Sequence, residues 1–164
     1  MTTTDQYTNK VLSEVQKLLW GGSETENIKA HNMIAKLIND GLLDPDEKVS
    51  KYWPEYGCNG KENTKVSDFL CHRAGMFGFQ GGAPEGSWQD WKKFTERLQS
   101  QSPIREPGTS QGYHAMTYGW LTGELIRRVD GRSAGQYFKE EIATPLNIDF
   151  HIGLQESDFE RCAD

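Results

Sequence analysis

Residues 41–56 read Gly-Leu-Leu-Asp-Pro-Asp-Glu-Lys-Val-Ser-Lys-Tyr-Trp-Pro-Glu-Tyr, and residues 64–76 read Thr-Lys-Val-Ser-Asp-Phe-Leu-Cys-His-Arg-Ala-Gly-Met. Gly41 predicts the end of a preceding helix, because glycine adopts the left-handed conformation of a helix C-cap without strain. The aromatic residues of 51–56 predict an ordered loop that their side chains hold in place. The second stretch predicts a short capped helix that carries Val66, Phe69 and Leu70.

Apolar residues at helical spacing predict further helices on both sides of these two stretches. The segments between the later helices are rich in Gly, Pro and Ser and are predicted loops. Ser87 is the predicted N-cap of one helix, and Pro145 follows the last one. The predicted helices cover residues 8–20, about 23–41, 88–98, 118–129 and 134–144. Because strands are nearly absent, the sequence predicts a mainly α fold with long ordered loops.

The size and charge of the chain limit the classes of protein to which it can belong. It has 164 residues and a net charge of −6, which suits one domain or part of a larger one. No dense Lys/Arg block is present, which argues against nucleic acid or an anionic membrane as the main partner. No apolar run approaches the ~20 residues of a spanning helix, and the N-terminal residues lack a secretory pattern. The cysteines lie far apart and predict reduced thiols in a cytoplasmic protein, not a disulfide framework or a zinc site: Cys58, Cys71 and Cys162.

Three segments of the chain resemble the serine β-lactamase-related family, which includes penicillin-binding-protein-like and class C β-lactamase-like esterases and animal β-lactamase-domain proteins. The two stretches quoted above are similar to the family's GLLDLDxPVxxYWPEF and LLxHTSGL segments. Residues 112–128, Gly-Tyr-His-Ala-Met-Thr-Tyr-Gly-Trp-Leu-Thr-Gly-Glu-Leu-Ile-Arg-Arg, resemble its YHAxTxGWLxGELxRR segment. The matches cover roughly residues 28–155 in the family's order.

The resemblance implies the helical lobe of the β-lactamase/transpeptidase-like α+β fold, lacking most of the antiparallel sheet. It divides the chain into an N-terminal amphipathic segment, residues 1–22, and a partial β-lactamase-related domain, residues 23–164. The family's reaction is acyl transfer. A serine in Ser-x-x-Lys attacks the carbonyl of an ester or amide, while the lysine and a tyrosine manage its proton. No cofactor or metal is implied, and the substrate class is small acyl esters or amides.

The nucleophile is the point at which the chain departs from the family. No Ser-x-x-Lys occurs in the sequence. The family's serine lies about seventeen residues before the glycine equivalent to Gly41, and counting back reaches Glu24, with Asn27 in the place of the lysine. Ser23 is one position away and is a weak candidate nucleophile. Because Glu26 stands three residues after it, Ser23 matches a capping-box pattern better than a catalytic one.

Tyr113 stands where the resemblance places the family's proton-relay tyrosine, although Ala115 replaces the Asn or Ser found two positions later. The alternative is that Tyr113 is a buried aromatic residue beside a helix start. His72 and His114 invite a metal or general-base hypothesis, but no carboxylate or cysteine lies at ligand spacing around either. We therefore expect both histidines to be structural, and for His72 the resemblance implies the same.

Two further matches are interpreted as coincidences. Residues 151–153, His-Ile-Gly, copy the family's substrate-lining His-x-Gly motif but lie in an earlier segment of the family pattern. Residues 7–9, Tyr-Thr-Asn, lie ahead of the expected nucleophile. The tryptophans at 53, 88 and 91 could form an apolar wall of a cleft, although packing in the core is the more frequent role of such residues.

Three hypotheses follow. The favoured one is a β-lactamase-related serine hydrolase homologue that is truncated and catalytically inactive, a pseudoenzyme or fragment. The second is a non-catalytic protein-binding or assembly module, in which apolar surface of the helical lobe binds a partner or a second copy. The third is an active esterase with an unrecognised nucleophile, Ser23 or Ser133.

Overall fold

The computed structural model describes residues 33–83 and 90–161 of the chain. Several predictions made from the sequence lie outside these residues. They are the helix at 8–20, the Tyr-Thr-Asn string at 7–9, the candidate nucleophile Ser23, the predicted cap Ser87, Trp88 and Cys162.

The described residues form short helices that are joined by long ordered segments. In chain order the helices are α1 (residues 33–39), α2 (Val49–Tyr52), α3 (Val66–Leu70), α4 (Trp91–Ser100), α5 (Tyr118–Asp130) and α6 (Ala134–Phe138). Shorter turns are a 3₁₀ turn at Pro54–Tyr56, a π-helical turn at Lys139–Ala143 and a 3₁₀ turn at Glu156–Arg161. Among the described residues the only β-type pairing is an isolated antiparallel bridge between Lys48 and Lys65. The predicted mainly α character is confirmed over this part of the chain.

The helix end predicted at Gly41 is confirmed, and two further helix ends carry clear caps. Gly41 follows α1 with a φ of +72°, and Leu42 donates its N–H to the Leu37 carbonyl at 2.9 Å, which is the hydrogen bond of a left-handed C-cap. Helix α5 ends at Gly131, whose φ is +92°. In α3 the Asp68 carboxylate accepts the backbone N–H of Lys65 at 3.0 Å and so caps the helix.

Two predicted elements are corrected. Helix α4 begins at Trp91 rather than at residue 88, because the carboxylate of Asp90 caps it by accepting the N–H of Lys93 at 3.0 Å. The segment 51–56, predicted as a loop, instead contains the end of α2 and the 3₁₀ turn, in which Pro54 takes the first position. Proline suits that position because its φ is already helical and its missing N–H needs no acceptor there.

Aromatic residues from this segment do hold it in place, as expected. Trp53 and Tyr56 expose no surface, and their ring centroids lie 5.3 Å apart. Tyr56 also meets Phe69 of α3 edge-to-face at 5.1 Å. The Trp53 indole N–H donates to the side chain of Gln99 at 2.9 Å, which connects the 3₁₀ turn to α4. Trp53 is therefore part of the core, in agreement with the packing interpretation.

A buried carboxylate joins α4 to α5. Glu124 is 1% exposed and accepts the indole N–H of Trp91 at 2.7 Å. The guanidinium groups of Arg127 and Arg128 donate to the same carboxylate at 2.6–2.8 Å. The rings of Trp91 and Trp120 lie 4.8 Å apart between their centroids, but Trp91 is 37% exposed and is therefore not a core residue.

A buried lysine ties the loop after the 3₁₀ turn to the end of α4. Lys61 is 1% exposed, and its ammonium group donates to the backbone carbonyls of Cys58, at 3.0 Å, and Gln101. The same ammonium lies 5.1 Å from the centroid of the Tyr56 ring. Burial lowers the pKa of Lys61 from its usual value.

Apolar side chains are exposed along residues 146–161. Leu146 is 66% exposed and Phe159 is 59% exposed, and both follow the π-helical turn. Within the described ranges, none of the helices combines the length and apolar character that crossing a bilayer requires.

Candidate functional site

Tyr113 lies in the segment that leads into α5, and it is 59% exposed. The alternative that it is a buried aromatic residue is therefore wrong. Its neighbour His114 is fully buried and accepts, through its carbonyl, the N–H groups of Thr117 and Tyr118 at 3.2 and 2.9 Å. The start of α5 thus fixes the chain directly after Tyr113, which leaves the phenol at the surface on an anchored backbone.

The segment 112–114 rests on His72. Gly112 donates its N–H to the His72 carbonyl at 3.0 Å, and His114 donates its N–H to the His72 ring Nδ1 at 3.2 Å. The ring of Tyr113 meets the His72 ring edge-to-face, with centroids 5.0 Å apart. Two residues that are 41 positions apart in sequence are therefore direct neighbours in the fold.

The chain after α3 takes an unusual path that makes these contacts. His72 has a φ of +56°, a left-handed conformation that a non-glycine residue seldom adopts. Gly75 has a φ of +69°, and a Cβ added there would lie 1.9 Å from the carbonyl oxygen of Arg105. Only glycine allows the backbones to approach so closely, and the Gly75 carbonyl accepts the N–H of Ile104 at 2.8 Å.

His114 forms hydrogen bonds through both ring nitrogens, one within its own segment and one to the 72–76 loop. Its Nδ1–H donates to the Gly112 carbonyl at 2.6 Å, and its Nε2 accepts the backbone N–H of Met76 at 3.0 Å. Burial lowers the pKa of His114 to about 4, against a smaller effect of the Gly112 hydrogen bond. The ring is neutral at pH 7, and the structural role that we expected for it is confirmed.

Two other residues considered from the sequence have partners close to them in the chain. The Ser133 hydroxyl caps α6 by accepting the N–H of Gln136 at 3.2 Å. His151 lies 3.4 Å from the carboxylate of Asp149, in the exposed segment after the π-helical turn. Within residues 33–83 and 90–161, no group of three or more His, Cys, Asp or Glu side chains is arranged to hold a metal ion.

Sequence reasoning missed two features of this region. It assigned no role to Glu124, although the carboxylate is the hub between α4 and α5. It also treated His72 and His114 as unrelated structural residues, whereas their ring centroids lie 5.4 Å apart and the His72 ring also contacts Tyr113. An acidic residue followed at three and four positions by arginines was the available signal for the first feature. No signal local in sequence pointed to the second.

The sequence profile of the Beta-lactamase family matches residues 31–164. This chain belongs to the β-lactamase family. It is 39% identical over 137 residues to the esterase/beta-lactamase LipL of Mycobacterium tuberculosis, an alignment that covers 83% of this chain and 31% of LipL. The chain thus spans about a third of the length of the curated relatives that it matches.

Solved structures of the family have the same fold. A penicillin-binding protein homologue from Caulobacter crescentus superposes with a TM-score of 0.80 and 39% identity, covering 84% of this chain and 37% of that one. A family VIII carboxylesterase superposes with a TM-score of 0.77 and 38% identity, covering 81% and 37%. The resemblance inferred from the sequence is confirmed. The fold is β-lactamase/transpeptidase-like, and the part that the structure describes is its helical portion.

Proposed function

We propose that this chain is a serine-hydrolase homologue that presents the tyrosine-bearing wall of an acyl-transfer site and does not itself turn over an ester or amide. The observation that carries the proposal is the placement of Tyr113, which is exposed yet held on an anchored backbone. The proposed substrate class is small acyl esters or amides. It is supported by the names of the relatives, an esterase/beta-lactamase and a carboxylesterase.

The proposed inactivity follows from the chemistry of the nucleophile. Acyl transfer needs a hydroxyl that attacks the carbonyl carbon and a base that accepts the hydroxyl proton. The phenol of Tyr113 could return that proton to the leaving group. At the two positions where the family pattern places the serine and the lysine, the chain has Glu24 and Asn27. Glutamate has no hydroxyl proton to transfer in this way, and the asparagine amide does not act as a base at neutral pH.

We also propose the domain division and the location that the sequence suggests. Residues 23–164 would form the helical lobe without most of the family's antiparallel sheet, preceded by an amphipathic segment at 1–22. Cys58 and Cys71 are free thiols, which supports a cytoplasmic location. The two other hypotheses have less support. The Ser133 hydroxyl is engaged as a helix cap, and the relatives named above do not favour a protein-binding or assembly module.

The test is hydrolysis of a chromogenic short-chain ester and a chromogenic cephalosporin by the purified full chain. Ser23→Ala and Tyr113→Phe variants are assayed beside it, with Ser157→Ala as the matched control because Ser157 is exposed. We expect no turnover above buffer for any of them. Turnover that is lost in Ser23→Ala or Tyr113→Phe and retained in Ser157→Ala would overturn the proposed inactivity.

Ligand binding tests the proposed wall separately. The short-chain ester is titrated into isotope-labelled chain while the tyrosine ring resonances are recorded, and Tyr113→Phe assigns the Tyr113 signal. We expect the Tyr113 signal to shift with the ligand concentration. If the ester binds elsewhere or not at all, the proposed substrate class is wrong.

A further inference from the structure

Three consecutive backbone and side-chain contacts converge on one residue. The N–H groups of Gly112 and His114 point to the carbonyl and the ring Nδ1 of His72, at 3.0 and 3.2 Å. Between them, the ring of Tyr113 lies edge-to-face against the imidazole at 5.0 Å. His72 thus contacts the residue before Tyr113 through its carbonyl, and Tyr113 itself and the residue after it through its ring.

The left-handed conformation of His72 makes this arrangement possible. With a φ of +56° the chain reverses directly after α3, so that the carbonyl and the ring of the same residue both face the segment 112–114. The hydrogen bonds of Arg73 hold this reversal in place: its N–H donates to the Asp68 carbonyl at 2.7 Å, and its own carbonyl accepts the N–H of Gly108 at 2.9 Å.

A second set of bonds fixes the two loops against each other beyond His72. The Nε2 of His114 accepts the Met76 N–H at 3.0 Å, and the hydroxyl of Thr117 donates to the Met76 carbonyl at 2.5 Å. The backbone on both sides of Tyr113 is therefore tied to the 72–76 loop. Tyr113 itself remains 59% exposed, so it is held by its neighbours and not by burial.

We propose that His72 is the positioning residue of Tyr113 and keeps the exposed phenol in one orientation before any ligand arrives. This inference rests on the proposed function, in which Tyr113 faces an acyl ligand. An exposed aromatic side chain on a free loop would sample several rotamers, and ligand binding would have to select one. Because His72 sets the orientation in advance, the rotamer entropy of Tyr113 is lost when the chain folds and is not lost again when a ligand binds.

Two substitutions separate the contributions of His72. Asparagine and glycine both tolerate a φ of +56°. His72→Asn keeps a side-chain oxygen that can accept the His114 N–H but removes the ring, and His72→Gly keeps only the backbone carbonyl. His151→Asn is the matched control, because His151 lies in the exposed segment beside Asp149.

The measurement is the ¹³C relaxation of the Tyr113 ring in full-length chain labelled at tyrosine. We expect an ordered ring in the unsubstituted chain, greater motion in His72→Asn and the greatest motion in His72→Gly, with the tryptophan indole resonances unchanged. His151→Asn should leave the Tyr113 signal in place. If the Tyr113 ring has the same relaxation in both His72 variants as in the unsubstituted chain, the proposal is refuted.

Two further outcomes keep the inference testable. If a His72 variant fails to fold, the unsubstituted chain still decides, because a Tyr113 ring that moves as freely as an unfolded tyrosine overturns the proposal. Titration with the short-chain ester should show about tenfold weaker binding in His72→Gly. If the His72 variants lose ring order but the unsubstituted chain binds no ester, the positioning role stands and the proposed function is contradicted. If the ester binds while the Tyr113 ring of the unsubstituted chain is mobile, the proposed function stands and the positioning role is contradicted.

Discussion

Replacing Glu124 with glutamine is expected to lower the free energy of unfolding by about 3 kcal/mol, the low end for breaking a buried ion pair. The carboxylate is 1% exposed and accepts hydrogen bonds from the side chains of Trp91, Arg127 and Arg128. Glutamine has almost the same shape, but it replaces one acceptor oxygen with an NH₂ group. That group would face a guanidinium donor, so at least one charge-assisted bond is lost.

The size of the effect follows from the exposure of the partners. A hydrogen bond to a charged group contributes about 1.5–3 kcal/mol, and two arginines donate here. Their side chains are 45% and 25% exposed, so water can take up part of what they lose, which favours the low end of the range. For a chain of this size, 3 kcal/mol corresponds to a fall in Tm of roughly 6–12 °C.

Thermal and urea unfolding followed by circular dichroism would measure the change. The matched control is Glu96→Gln. Glu96 lies on α4, and its carboxylate pairs with the ammonium group of Lys92, at 3.7 Å on the exposed surface. We expect that control to cost about 0.3 kcal/mol. If the two glutamine variants lose the same free energy of unfolding, the buried carboxylate of Glu124 does not stabilise the contact between α4 and α5 as its hydrogen bonds indicate.

The pH dependence of the same variant supplies a second check. Burial raises the pKa of Glu124, but the hydrogen bonds from Arg127, Arg128 and Trp91 outweigh that effect and lower the pKa below its usual 4.5. A carboxyl whose pKa is lowered by folding contributes stability above its unfolded pKa and loses it as the pH falls through the folded value. The difference between the unsubstituted chain and Glu124→Gln should therefore shrink below pH 4.5.

Three further outcomes are expected. Gly75→Ala should lower the free energy of unfolding by more than about 3 kcal/mol or prevent folding, because the added Cβ would overlap the Arg105 carbonyl. Gly41 also has a positive φ but has open space around it, so Gly41→Ala should lower it by only about 1 kcal/mol. Urea unfolding of both variants compares them. The pKa of His114 is about 4 in the folded chain against a usual 6.5, so on acidification the unfolded chain binds the proton first. The free energy of unfolding should therefore fall by about 3 kcal/mol as the pH drops from 6.5 to 4. A His114→Gln chain whose stability falls as steeply over that interval would contradict the assignment. Lys61→Met should lower the free energy of unfolding by about 2 kcal/mol, because the buried Gln101 carbonyl loses its donor and the Cys58 carbonyl keeps only the backbone N–H of residue 61. Calorimetry would detect the change.

Prediction from the sequence worked best where neighbours along the chain decide the structure. The helix predicted at 118–129 is observed at Tyr118–Asp130, because apolar spacing and a following glycine act within a few residues. It failed at the start of α4, where tryptophan spacing suggested a helix from residue 88 but the Asp90 cap sets the beginning at Trp91. A capping side chain competes locally with the apolar pattern, and the cap determined the boundary.

The candidate site was only half accessible to sequence reasoning. Tyr113 was recognised from its motif, and its alternative, a buried ring, was excluded only by its 59% exposure in the fold. The contact between Tyr113 and His72 joins two residues that are 41 positions apart in the sequence. No periodicity or spacing reports such a contact, because it depends on how two loops pack.

The sequence by itself determined the family, the long helix at Tyr118–Asp130 and the lack of a Ser-x-x-Lys motif, because each of these depends on residues close together along the chain. The tertiary structure alone decided which polar groups are buried, among them Lys61, Glu124 and His114. A charged or titratable side chain is buried only where distant segments supply its hydrogen-bond partners. Those partners come together only when the chain folds. The same folding brings His72 against residues 112 and 114 and so anchors Tyr113 between them.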